Sequence, residues 1–147
     1  MVVANGFCES IKLRGYRSCE WSGLTEVPPL GVEMFFATAK LSIEAAVAYE
    51  IEGTDLGLIV AVKAKDNENA FAAIFLDLMF DDSLDECLDQ NLWNYLLNQE
   101  FHLAKDGDQT IQTRNIRANI NMTDGQNSQS PQSKYYTTRI ITPGFCL

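Results

Sequence analysis

Histidine occurs once in this 147-residue chain, cysteine and proline four times each, and Lys and Arg together only 11 times against 20 Asp and Glu. With one imidazole, any histidine-dependent acid–base or nucleophilic chemistry has to run through His102. Cys8, Cys19, Cys87 and Cys146 lack the close paired spacing of a zinc knuckle or a thioredoxin-like site, and they are too few for a disulfide framework. They read as reduced thiols that behave as small hydrophobic side chains. No G-x-x-x-x-G-K phosphate loop and no G-x-S-x-G nucleophile elbow is present, which removes the commonest signals of nucleotide and acyl-transfer chemistry. No apolar run approaches the roughly 20 residues of a membrane span, and Met1-Val2-Val3-Ala4-Asn5-Gly6 has neither a basic leader nor a signal-type apolar stretch. A cytoplasmic protein without a membrane partner is expected. The net charge of −9 repels phosphate backbones, so direct binding to nucleic acid is not expected either.

What the sequence does hold is an ordinary globular core. At 46% hydrophobic and 21% charged it is neither disordered nor fibrous, and its length suits a single domain over 1–147 with no need of a covalent staple. Charge is segregated along the chain. Residues 1–31 are neutral and 32–65 carry −2, whereas 66–108 hold eleven acids against Lys105 alone, and 109–147 carry +3. The polar run 123–134, with Gly125 and Pro131, reads as a mobile hairpin loop that cannot bury enough area to offset its ordering.

Polar Thr38, Lys40, Ser42 and Glu44 alternate with apolar Ala39, Leu41, Ile43 and Ala45, and the alternation resumes at Val47, Tyr49 and Ile51. This predicts strand, although Ala, Glu, Lys and Met over 33–50 would also suit a helix. Leu58 to Lys65 is the clearest β-branched strand. Ala70 to Phe80 is apolar almost throughout, as a strand buried on both faces or a core helix would be. Ser83 and Glu86 form a capping box, and Leu84, Cys87, Leu88, Leu92, Tyr95 and Leu96 recur at helical spacing, so an amphipathic helix is expected over about 83–99. Ile116 to Met122 alternates as a half-buried strand, with Tyr135 to Thr142 as its partner across the polar loop. The resulting expectation is an α+β fold: a mostly antiparallel sheet with that one main helix packed on a face.

Three groups of residues suggest function. Asp81, Asp82, Asp85, Glu86 and Asp89, with Asp77 before them, put six carboxylates into thirteen residues with no base among them. This acidic face reads as a docking surface for a basic protein partner, including one that normally binds nucleic acid and would meet here a mimic of its phosphates. Asp77, Asp81 and Asp82 could also suit a hard divalent cation, but Asp81 and Asp82 are explained by the helix start, so no metal and no cofactor is expected. The alternative is a small-molecule-binding or metal-dependent enzyme domain, with His102, Asp77, Trp93 and Tyr95 lining an aromatic pocket to which Trp21, Phe35, Phe36 and Phe75 could add. A structural or assembly subunit is the third reading. Arg114, Arg117, Lys134 and Arg139 give the C-terminal hairpin a sign opposite to the acidic segment, so pairing within the chain or with a second copy, as a dimer, is also expected.

Overall fold

The computed structural model describes residues 2–6, 9–17, 20–21, 26–36, 42–65, 68–78, 90–122 and 136–141. Among them run β1 (Val2–Gly6), β2 (Ile11–Arg17), β3 (Glu20–Trp21), β4 (Glu26–Val27), β5 (Val32–Phe36), β6 (Ser42–Ile51), β7 (Leu56–Lys65) and β8 (Glu68–Asp77). Helix α1 (Gln90–Leu97), β9 (His102–Leu103), a 3₁₀ turn at Ala104–Asp106, β10 (Gln109–Thr113), β11 (Ile116–Met122) and β12 (Tyr136–Ile141) follow. The strands form two six-stranded sheets, ordered β10-β11-β12-β1-β5-β3 and β4-β2-β6-β7-β8-β9. Pairing is antiparallel throughout except between β1 and β12, which bring the two ends of the described chain together in parallel.

Residues 42–51 are strand, as the alternation suggested, and so are 32–36. The hairpin of β11 and β12 pairs Met122 with Tyr136 at its loop end, and the polar loop 123–134 lies outside the described residues.

The α+β expectation, with one main helix over 83–99 laid on a single sheet, is corrected here. The described residues form a two-sheet β fold in which the helix is a minor element of eight residues. What covers the main apolar face is a second sheet. Ala45, Val47, Tyr49 and Ile51 of β6, Leu58, Val60 and Val62 of β7 and Phe71 of β8 share one buried cluster with Ile116, Ala118, Ile120 and Met122 of β11. Alternation marks one face of β11 as buried, but it cannot say which surface that face meets.

The central strands are apolar on both faces. Residues 45–49 of β6 and 56–62 of β7 are buried without a break. Their second face presents Ala46, Ala48, Ile59 and Ala61, against which Trp93 and Leu96 of α1 pack, with Leu92, Leu97 and Phe101 at the margin. Three alanines there let a tryptophan-bearing helix approach the sheet closely. Lys63, at the edge of this contact, donates to the Leu97 carbonyl at 3.2 Å and lies 4.0 Å from the Phe101 ring centre. It thus satisfies one of the carbonyls a helix leaves unpaired at its C-terminus and adds a cation–π contact.

At one end of the sandwich Pro28-Pro29-Leu30-Gly31 makes a tight turn closed by the Gly31 N–H donating to the Pro28 carbonyl at 2.8 Å. A Cβ on Gly31 would stand 2.8 Å from Pro28 Cδ and from its carbonyl oxygen, so only glycine fits. The buried Asn5 clamps this turn: its Nδ2 donates to the Val27 carbonyl at 2.9 Å and the Glu9 carbonyl at 2.8 Å, while its backbone N–H donates to Gly31 O at 2.9 Å. Leu30 sits at φ +60° and is 86% exposed, a left-handed conformation that an L side chain resists.

Two stability changes of opposite sign follow. Leu30→Gly removes a strain of about 1–2 kcal/mol and gives back roughly 0.5–1 in unfolded-chain freedom, so urea unfolding should show a net gain of up to about 1.5 kcal/mol. Leu96→Ala leaves a cavity between helix and sheet and should lose about 2–5 kcal/mol in the same experiment.

Candidate functional site

Asp77 closes β8, exposed, opposite Leu56 at the start of β7. The preceding turn is built by Thr54, whose hydroxyl donates to the Ile51 carbonyl at 2.7 Å and accepts the Leu56 N–H at 3.1 Å, while Gly53 supplies the left-handed φ of +73°. This places Asp55 beside the end of β8, where its carbonyl accepts the Leu78 N–H at 2.6 Å. From the other sheet comes Arg114. It is the first residue of the two-residue turn that joins β10 to β11, at φ +51°, as the mirror-image turns of tight hairpins require.

The Arg114 guanidinium forks onto both oxygens of Asp55, with the Nη2–Oδ2 arm at 3.1 Å, and its Nη2 also reaches Asp77 Oδ1 at 3.2 Å. One cation therefore serves two carboxylates and ties the two sheets at this corner. The guanidinium hydrogen bond, with help from a backbone one, holds the Asp55 carboxyl below the usual carboxylate range, and the same contact raises Arg114 above its own. All three side chains remain about half exposed or more, so the cluster fixes geometry and local charge rather than supplying much stability. Asp77 interrupts an apolar run in the sequence because it is a strand-end partner of a distant arginine.

The other sequence candidates are spread over the fold. His102 pairs in register with Phe71 at the margin of the inter-sheet core, its ring centre 5.1 Å from that of Phe71. Its Nε2 lies 3.0 Å from the Gly107 carbonyl, which can only accept, so that nitrogen carries the proton. Asp77 ends β8 whereas His102 pairs with Phe71, six residues or about 20 Å back along that strand. Trp93 is buried against the other face of the same sheet, and Tyr95 is 52% exposed on the helix. Phe75 belongs to the inter-sheet core, while Trp21 and Phe35 are register partners of β3 and β5. His102, Asp77, Trp93 and Tyr95 are thus not brought together.

Asp81, Asp82, Asp85, Glu86 and Asp89 lie outside the described residues, as do all four cysteines. In sequence the acids lie between Leu78, at the Arg114 corner, and Gln90, the first described residue of α1. Among the described residues no group of three or more His, Cys, Asp or Glu is placed to hold a metal ion, and no helix is long and apolar enough to cross a membrane. Of the four C-terminal cations, Arg114 takes Asp55 and Asp77, and Arg117 reaches Gln112 Oε1 at 3.4 Å. Asp55 escaped sequence reasoning. The Gly53-Thr54-Asp55 turn was legible, but nothing local announces an arginine fifty-nine residues away.

No protein-family model matches the chain, and no curated protein sequence does. Among solved structures, the lectin XCL of Xerocomus chrysenteron is similar at 9% identity and a TM-score of 0.47, over 95% of this chain and 94% of the lectin.

The corner has a pH signature. Because the folded-state carboxyl of Asp55 titrates below its unfolded value, its contribution is present above the unfolded pKa and is lost as pH falls through the folded one. Carboxyl NMR titration should therefore find Asp55 low in the wild type and higher in Arg114→Gln, where only the backbone hydrogen bond still lowers it. The stability difference between the two proteins should be greatest at neutral pH and shrink on acidification below about pH 4.

Proposed function

We propose that the chain is a non-catalytic binding module that docks a basic protein partner through the acidic stretch running from Asp77 to helix α1. The observation behind this reading is the charge imbalance at the Arg114 corner: one guanidinium is shared between Asp55 and Asp77 just where a segment with five further carboxylates departs. No Lys or Arg occurs between Lys65 and Lys105, and Lys63 is engaged with Leu97 and Phe101. Excess negative charge of this kind steers a cationic surface into place and contributes more to association rate and selectivity than to bare affinity. A partner that normally binds nucleic acid belongs to the same chemical class.

The test compares the wild-type chain with the Asp81→Asn, Asp82→Asn, Asp85→Asn, Glu86→Gln, Asp89→Asn combination as bait in a cell extract. At about 0.1 M salt, where charges are felt over ~10 Å, the wild type should retain a Lys- and Arg-rich protein that the neutralised chain loses. That capture should fail at about 1 M, where the range is ~3 Å. Equal retention by both baits, or retention indifferent to salt, sinks the proposal.

A further inference from the structure

Three of the four sheet edges among the described residues are two-residue strands: β3 on one sheet, β4 and β9 on the other. The fourth edge, β10, is five residues long, reads Gln-Thr-Ile-Gln-Thr and contains no charge, no proline and no glycine. Shortness and charge are what usually keep an edge from pairing with another chain, and β10 has neither. Among the described residues it pairs with β11 alone.

The hairpin geometry specifies what this edge offers. Thr113 and Ile116 close a two-residue turn, so they are a hydrogen-bonded pair, and by alternation Ile111 and Gln109 also direct their backbone groups to β11. The N–H and C=O groups of Thr110 and Gln112 therefore point outward from the sheet. A strand that meets them must be extended and must present outward groups at the same two-residue spacing.

We propose that this strand is β10 of a second copy, running antiparallel about a two-fold axis at Ile111. In that register Thr110 of each copy faces Gln112 of the other, both outward-directed, so all four strand residues exchange both of their bonds. Ile111 meets its own counterpart as the non-hydrogen-bonded pair, on the side where it packs against the core. Beyond the strand, Asp108, whose carboxylate accepts from Asn121 of its own chain, comes near the turn that carries Arg114 of the other copy, half exposed while it holds Asp55 and Asp77. The contact is isologous and closes at two chains, joining two six-stranded sheets into one.

Thr110 and Gln112 are exposed, so both can be changed without touching the core. Sedimentation equilibrium over a wide concentration range should give the wild type twice the chain mass of 16.4 kDa. Thr110→Lys with Gln112→Lys sets lysines against each other across the axis and should leave single chains. Thr110→Lys with Gln112→Glu sets each lysine against a glutamate in this register only, and should remain a dimer. Amide exchange of the unmodified chain gives a reading free of any variant: the Thr110 and Gln112 amides should be protected at high concentration and lose protection on dilution, while the Ile111 amide stays protected throughout. A monomeric wild type, a dimer that survives the lysine pair, or a lysine–glutamate variant that falls apart would each overturn the proposal.

Discussion

The constraint on which the fold turns is that β6 and β7 are apolar on both faces. A strand with Leu58, Val60 and Val62 on one side and Ile59 and Ala61 on the other must lie in the middle of a stack, since each exposed face would cost about 25 cal/mol for every Å² left in water. One face is covered by β11 and its sheet, the other by Trp93 and Leu96 of α1. The first covering is wide and uses branched aliphatic side chains at sheet-to-sheet distance. The second is narrow, and the alanines at 46, 48 and 61 bring it close.

Once the two sheets are stacked, their corners meet, and charged residues placed there by turns become neighbours. Arg114 and Asp55 are both held by tight turns, one at φ +51° and the other fixed by Thr54 and Gly53. The pairing is therefore between backbones already fixed by their turns, so that forming it costs side-chain entropy but no further backbone ordering. Asp77, drawn to the same guanidinium, leaves the corner net negative at the point where the chain turns toward its most acidic segment. Fold and electrostatics are linked here through a single residue of the opposite sheet.

A sandwich has sheet edges, and this one treats them unequally. Among the described residues the two-residue edges β3, β4 and β9 offer a partner strand little to pair with, whereas β10 offers a regular ladder. On the same hairpin, Thr110 with Asn119 and Gln112 with Arg117 form cross-strand side-chain contacts on the exposed face, which support the register of the strand.

Strand was legible wherever period-2 alternation or a β-branched run was strong: Ser42 to Ile51, Leu58 to Lys65 and Ile116 to Met122 are all strands, because side-chain alternation is a local property of the extended backbone. Helical periodicity at Leu92 and Leu96 was legible for the same reason, and α1 carries both. Charge segregation, too, could be counted from composition alone. The tertiary structure alone decided what each apolar face meets. Whether β7 lies under a helix or a second sheet depends on β11, more than fifty residues later, and burial is non-directional, so no residue of β7 encodes its cover. The same holds for Asp77, Asp55 and Arg114, and for the separation of Asp77 from His102 by six residues of β8. Local patterns follow from the geometry of one backbone, whereas the choice of neighbour follows from packing the whole chain at once.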